Sequence, residues 1–160
     1  MRSVRILLAD DHTIVRKGIR MLLESHEGFR VVAEAADGRE AVALAEQHKP
    51  DIVVMDLAMP VLNGIEAARQ ICESETPSAV VFLSMHSDEG YVLKALKCGA
   101  KGYLLKDSAE QDLINAVQTV IRGEADFTAV YAPPPGVQWR GATWRAIRPC
   151  TRGCGSSWRC

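Results

Sequence analysis

The chain has no apolar run approaching the roughly 18 to 20 residues that a membrane span needs. Its start, Met1 to Asp11, also lacks the basic, apolar and small-residue layout of a signal peptide. A cytoplasmic location with no membrane partner is the expectation. Cysteine is scarce where a core has to form: only Cys72 and Cys98 lie in the first 130 of 160 residues. A domain of that size buries enough apolar surface without disulfides or a structural metal. Tryptophan is missing from the same stretch, and both acid and lysine are missing from the last thirty residues. Apolar residues, by contrast, are not in deficit. At 48% hydrophobic and 24% charged the composition is that of a globular protein, which excludes wholesale disorder.

These gaps divide the chain. Residues 1–130 hold all 20 acidic residues against 14 Lys and Arg, a net of −6. The last thirty carry five Arg, all three Trp, four of the seven Pro, and Cys150, Cys154 and Cys160. The overall net charge of −1 is therefore an average over two unlike pieces, and so abrupt a shift marks a boundary. The expected organisation is a folded domain over 1–125, then a linker and atypical tail over 126–160. The tail shows no helical period long enough for three or four helices, or for the recognition helix of a helix-turn-helix. Its Arg, Trp, Pro, Gly, Ala and Cys are mostly residues of G/C-rich codons, the composition of a disordered or out-of-frame segment. Three thiols without a nearby histidine make a poor zinc site. Interleaved Arg and Trp would bind nucleic acid or an anionic surface only non-specifically.

In the acidic body, short runs rich in Val and Ile alternate with longer helical patterns. Strands are predicted at Val4–Ala9, Phe29–Ala35, Asp51–Met55, Ala79–Leu83 and Lys101–Leu105. Between them apolar positions recur at helical spacing: Val15, Gly18, Ile19 and Leu22; Ala41, Val42 and Ala45; Ile65, Ala68 and Cys72; Val92, Ala95 and Leu96. The last helix carries Leu113, Ala116, Val117, Val120 and Ile121. It opens with a candidate capping box, Ser108 with Gln111, and stops before Gly123. Five strand–helix repeats imply an α/β fold, a parallel sheet with helices on both faces.

In an open sheet of this kind ligands bind outside the carboxyl ends of the strands. The residues there are Asp10 and Asp11 after the first strand, Asp56 after the third, Ser84 after the fourth and Lys106 after the fifth. Polar residues often end strands merely as caps or solvated loops. Five of them at the right ends of four strands argue for a site. Clustered carboxylates repel and call for a cation, and all-oxygen ligation with room for a phosphate suits Mg2+. Lys106 would then pair with an incoming phosphoryl oxygen.

From Arg5 to Gly123 the chain resembles the receiver domain of two-component response regulators. The matching pieces are ILLADDH, the run DLAMPVLNG from Asp56 to Gly64, LSMHS from Leu83 and GAKGYLLKD from Gly99. Their wording is most similar to the NarL/FixJ (LuxR-type) transcriptional regulators. The resemblance implies a doubly wound, flavodoxin-like sheet of order 2-1-3-4-5 and a receiver spanning 1–125. It makes Asp56 the phosphoacceptor for a phosphohistidine on a sensor histidine kinase. Asp11 and Asp56 would hold Mg2+, with the Ala58 carbonyl as a third ligand and Asp10 acting directly or through water. Ser84 and Lys106 would each take a phosphoryl oxygen, and Tyr103 would be the switch aromatic, turning inward with Ser84 on phosphorylation. Such a receiver catalyses its own phosphotransfer and autodephosphorylation without being an enzyme in the turnover sense. Its output would be a homodimer formed on phosphorylation, and DNA contact through a further domain that is not recognised here.

Two positions depart from the family pattern. Asp107 follows Lys106 where many receivers have proline, and a cis bond there would cost about 2.5–4 kcal/mol without it. Thr13 stands where subfamily members often begin the first helix with proline. Other residues have ordinary readings. His12 is a solvated loop residue, since Mg2+ prefers oxygen. Met59 and Pro60 shape the loop after the third strand, Asn63-Gly64 starts the next helix, and Cys72 and Cys98 are small core residues. Two other functions fit the same edge. One is a stand-alone receiver acting through protein contacts. The other is a phosphohydrolase with an aspartyl-phosphate intermediate, although such enzymes place a second acid where this chain has Ala58.

Overall fold

Strand and helix alternate five times in the protein, known here as a computed structural model that describes residues 3–75, 78–85, 89–106 and 109–123, without side chains at 89 and 109–111. The strands are β1 (Val4–Ala9), β2 (Phe29–Ala35), β3 (Ile52–Asp56), β4 (Ala79–Ser84) and β5 (Gly102–Leu105). The helices are α1 (Thr13–Glu24), α2 (Gly38–His48), α3 (Gly64–Cys72), α4 (Glu89–Lys97) and α5 (Ala109–Ile121). All strand pairs are parallel, in the order β2-β1-β3-β4-β5. The fold is thus the parallel sheet expected from the alternation, in the doubly wound order that the family resemblance implies; β3 is shifted by one residue, β4 ends one residue later and β5 begins one residue later than predicted. The candidate Ser108–Gln111 capping box, the peptide after Lys106 and the whole tail from 124 lie outside the described residues.

Period-two alternation divides each central strand between two cores. Leu7, Ala9, Val53, Met55, Val80 and Phe82 point to one face, where Ala41, Ala45, Ala67, Ala68, Ile71, Val92, Ala95 and Leu96 of α2, α3 and α4 cover them. Ile6, Leu8, Ile52, Val54, Val81 and Leu83 point to the other, under Ile19 and Leu23 of α1 and Leu113, Ala116, Val117 and Val120 of α5. A strand buried on both faces needs no polar alternate, which is why IVVM and AVVFL read as continuous apolar runs. Cys98 belongs to the first core and Cys72 packs against it. Burial pushes the Cys98 thiol up to about 12, and the thiol donates to the Ala95 carbonyl at 3.1 Å, so it acts as a small apolar group.

Two helix phases differ from the apolar periodicity. In α1 the buried positions are Ile19 and Leu23, whereas Val15 and Gly18 face solvent. In α5 Ile121 is exposed. The helix starts behave as their sequences suggest. Asp37 accepts from the Glu40 N–H at 2.8 Å to cap α2, and Asn63 accepts from the Glu66 N–H at 2.9 Å to cap α3.

Candidate functional site

The carboxyl ends of β1, β3, β4 and β5 meet at one edge of the sheet, and register brings their terminal residues together. Asp56, the last residue of β3, pairs with Leu83, and Ser84 pairs with Leu105, the neighbour of Lys106. Gly64 holds α3 close behind Asp56: a Cβ there would lie 2.2 Å from the Asp56 carbonyl oxygen. Only glycine allows that approach, and its N–H donates to the Leu57 carbonyl at 2.9 Å. Val61 in the same β3–α3 loop adopts φ of 69° while 72% exposed, a left-handed conformation that a β-branched residue rarely takes.

Asp10 and Asp56 are buried, at 1% and 5% exposure, and Asp11 lies open to solvent beside them. One ligand atom each from Asp10, Asp11, Asp56 and His12 lies within 4.8 Å of the others. The Lys106 ammonium bridges the two buried acids, 3.1 Å from Asp10 Oδ2 and 3.1 Å from Asp56 Oδ2. Towards Asp56 this is a hydrogen bond. Asp10 Oδ2 is buried with no donor aligned on it among the described residues, so that contact is an ion pair without hydrogen-bond geometry. Asp56 Oδ1 accepts from the Ala58 N–H at 3.3 Å, and Asp10 Oδ1 from the His12 N–H at 2.8 Å.

Opposing forces act on these charges. Burial raises the pKa of Asp56, Lys106 draws it down, and the Asp10 charge pushes it up, leaving it above the ordinary carboxylate value. For Lys106 burial disfavours the charge, but the close contacts with the Asp10 and Asp56 carboxylates outweigh it, so its pKa is raised. Three carboxylates against one ammonium form an oxygen-rich site with a cation deficit, and such a donor set fits a hard divalent cation. The incompletely satisfied Asp10 Oδ2 is consistent with that fit.

The edge therefore assembles Asp10, Asp11, Asp56 and Lys106 in direct contact range, with Ser84 buried at the adjoining strand end and Ala58 exposed beside Asp56. His12 is solvated, as expected of a loop histidine, at 66% exposure. Its Nδ1 nevertheless lies 3.0 Å from Asp11 Oδ1, within the acidic cluster. Tyr103 is fully buried, its ring 6.4 Å from that of Phe82. Arg16 escaped the sequence reading: its guanidinium donates to the Asp10 carbonyl at 2.6 Å. No periodicity signals a bond of that kind.

The family signature described as the response regulator receiver domain matches residues 6–118. Over 130 residues the chain is 42% identical to the uncharacterized transcriptional regulatory protein YxjL of Bacillus subtilis, covering 81% of this chain and 60% of that one. A LuxR-family two-component response regulator from Aurantimonas superposes with a TM-score of 0.75 at 42% identity, covering 78% of this chain and 89% of that one. The NarL signal receiver domain from Mycobacterium tuberculosis gives 0.74 at 35% identity, covering 77% and 99%. The chain spans between 52% and 60% of the length of the first curated relatives it matches. Edge chemistry, strand order and sequence similarity agree: the chain belongs to the response regulator receiver domain family, whose relatives here are transcriptional regulators of the LuxR type.

Proposed function

We propose that this receiver is activated by phosphorylation, accepting a phosphoryl group on Asp56 from the phosphohistidine of a sensor kinase in the cytoplasm, and that it controls transcription. The observation that carries this reading is the buried Asp56 carboxylate, hydrogen-bonded to Lys106 at 3.1 Å inside a cluster of acids that favours a cation. An Asp56 oxygen attacks phosphorus, the phosphorus–nitrogen bond breaks, and the imidazole leaves with the electron pair. A raised pKa makes that oxygen a stronger nucleophile than an exposed aspartate, and the nearby ammonium favours its ionised form. Lys106 and the Ser84 hydroxyl serve the phosphoryl oxygens, one as a charge and one as a hydrogen-bond donor. Asp11 and Asp56, the Ala58 carbonyl, and Asp10 directly or through water would hold Mg2+, which supplies neutralising charge for the transferring group. Phosphoryl transfer asks little more of a protein than such positioning and electrostatics. The receiver itself spans 1–125, and DNA contact belongs to a further domain of the regulator.

The test is phosphotransfer from a small phosphodonor in Mg2+, read by intact mass. The wild type should gain one phosphoryl group, Asp56→Asn none, and Asp11→Asn much less than the wild type. Full labelling of Asp56→Asn would overturn the assignment.

A further inference from the structure

We propose that Arg16 is a positioning residue for the acidic site, acting through the backbone of Asp10. The proposal rests on the reading of that cluster as a cation site, and it concerns a residue that touches none of the reacting atoms. Arg16 is the fourth residue of α1, at the end of its first turn, on the core-facing side that the apolar pattern had assigned to Val15. Its side chain is only 17% exposed. Two ends of one guanidinium fork have separate tasks. Nη1 donates to the Asp10 carbonyl at 2.6 Å, and Nε donates to Glu34 Oε1 on β2 at 3.2 Å. Glu34 is itself gripped by Arg20 through its other oxygen.

Asp10 is held at its backbone and at one carboxylate oxygen. Its N–H donates to the Ala35 carbonyl at 3.0 Å, its carbonyl accepts from Arg16, and its Oδ1 accepts from the His12 N–H at 2.8 Å. The β1–α1 turn carries both Asp10 and Asp11, and their aim toward Asp56 depends on this turn keeping its shape. Arg16 ties the turn to β2, a neighbouring strand 18 residues away, through Glu34. A lysine would keep the charge but has one compact ammonium in place of the fork, so it cannot make both contacts in the same geometry.

Charge and geometry make opposite forecasts, which allows the proposal to fail. Arg16 brings a positive charge close to a site that attracts cations. Were its role electrostatic, Arg16→Ala would bind Mg2+ more tightly and Arg16→Lys would match the wild type. Were it positioning, both variants would bind more weakly, by about tenfold, the scale on which outer-shell partners of metal ligands act. Calorimetric titration of the whole chain with Mg2+ measures this directly. Hydrogen exchange of the metal-free proteins supplies a second readout: the Asp10 and His12 amides should exchange faster in Arg16→Lys, with the amides of β3 and β4 unchanged. Weaker Mg2+ binding by both variants with that local exchange supports the proposal. Arg16→Lys equal to the wild type in both measurements overturns it, as does a uniform acceleration of core amides, which would make Arg16 merely structural. A wild type that takes up no Mg2+ would instead sink the cation-site reading, and exchange at Asp10 and His12 alone would then decide the role of Arg16.

Discussion

Replacing Lys106 by methionine removes the cation that bridges two buried acids while keeping most of the apolar stem. At an effective dielectric of about 20, each 3.1 Å contact, to Asp10 and to Asp56, is worth roughly 5 kcal/mol before desolvation. Desolvation of the ammonium offsets much of this, but the acids that remain do not return to water. Within 4.8 Å of each other they repel by at least roughly 3 kcal/mol on the same scale. Removing one partner of a buried pair commonly costs about 3–5 kcal/mol. Here the loss is limited, because Asp56 already has a raised pKa and takes up a proton more readily once Lys106 is gone. A net loss of about 2–3 kcal/mol at neutral pH follows, or roughly 10 °C in melting temperature for a domain of this size.

The body contains no tryptophan, so far-ultraviolet circular dichroism is the appropriate probe of its melting. In EDTA, Lys106→Met should melt well below the wild type. Mg2+ should then raise the variant more than the wild type, because Asp10 and Asp56 no longer share an internal cation. Saturating to about ten times Kd adds about 1.4 kcal/mol by mass action, and the variant reaches that point at lower Mg2+. Equal melting temperatures in EDTA would refute the claim that Lys106 holds the acids. Equal gains from Mg2+ would refute the competition between ammonium and cation.

Asp56→Asn should act in the opposite direction and stabilise the metal-free protein at neutral pH, since a carboxyl whose pKa is raised by burial costs stability when it is ionised. A folded-state pKa above the unfolded one makes ionised Asp56 a cost that grows as pH rises through that window, so the variant and wild type should converge in acid; urea melts across pH check this. Gly64→Ala should cost about 2–4 kcal/mol, because its Cβ would meet the Asp56 carbonyl oxygen at 2.2 Å, and a melting temperature unchanged from wild type would contradict that contact. Val61→Gly should stabilise by about 1 kcal/mol through relief of the left-handed backbone at φ of 69°, measured by the denaturant midpoint. Sedimentation with and without beryllofluoride should show stronger self-association in its presence, and identical profiles would leave contact with another protein as the output.

Much of this protein is legible without coordinates, for reasons that particular residues make plain. Val53, Val54, Val80 and Val81 are buried on alternate faces of one sheet, so continuous apolar runs located β3 and β4. Once strands are parallel and helices cross between them, Asp10, Asp56, Ser84 and Lys106 must share an edge. Their convergence is topology, not local pattern. What escaped was the phase of α1. Val15 and Gly18 complete an apolar stripe on paper, yet Arg16 turns inward because Glu34 and the Asp10 carbonyl satisfy its charge and donors. A half-buried arginine is identified by its partners, and these lie on another strand and in the preceding turn. The full burial of Tyr103 likewise depends on distant partners. Strand parity assigns it to the face of Phe82, but the space available to the ring depends on packing from α4 and β4.

The charge pattern at the sheet edge also explains how a local event could reach the rest of the fold. Lys106 has two partners at 3.1 Å, and both are acids from other strands, Asp10 after β1 and Asp56 at the end of β3. On the proposed reading, a phosphoryl group on Asp56 adds negative charge and new acceptors at the place where the ammonium is already committed. Lys106 then has to divide its donors differently, and the tie between β5 and β1 weakens or shifts as that between β5 and β3 tightens. A ligand moves an equilibrium only as far as its affinities for the two states differ. The ion pairs of Lys106 are where such a difference can arise, because they join β1, β3 and β5 through a single side chain. Tyr103 lies three residues before Lys106 on β5, and Ser84 pairs with the residue just before it. A change in the hold of Lys106 on its acids is therefore transmitted first to the strand that carries the buried ring. The apolar cores on either side resist continuous deformation, so the response should take the form of a shift between packed states.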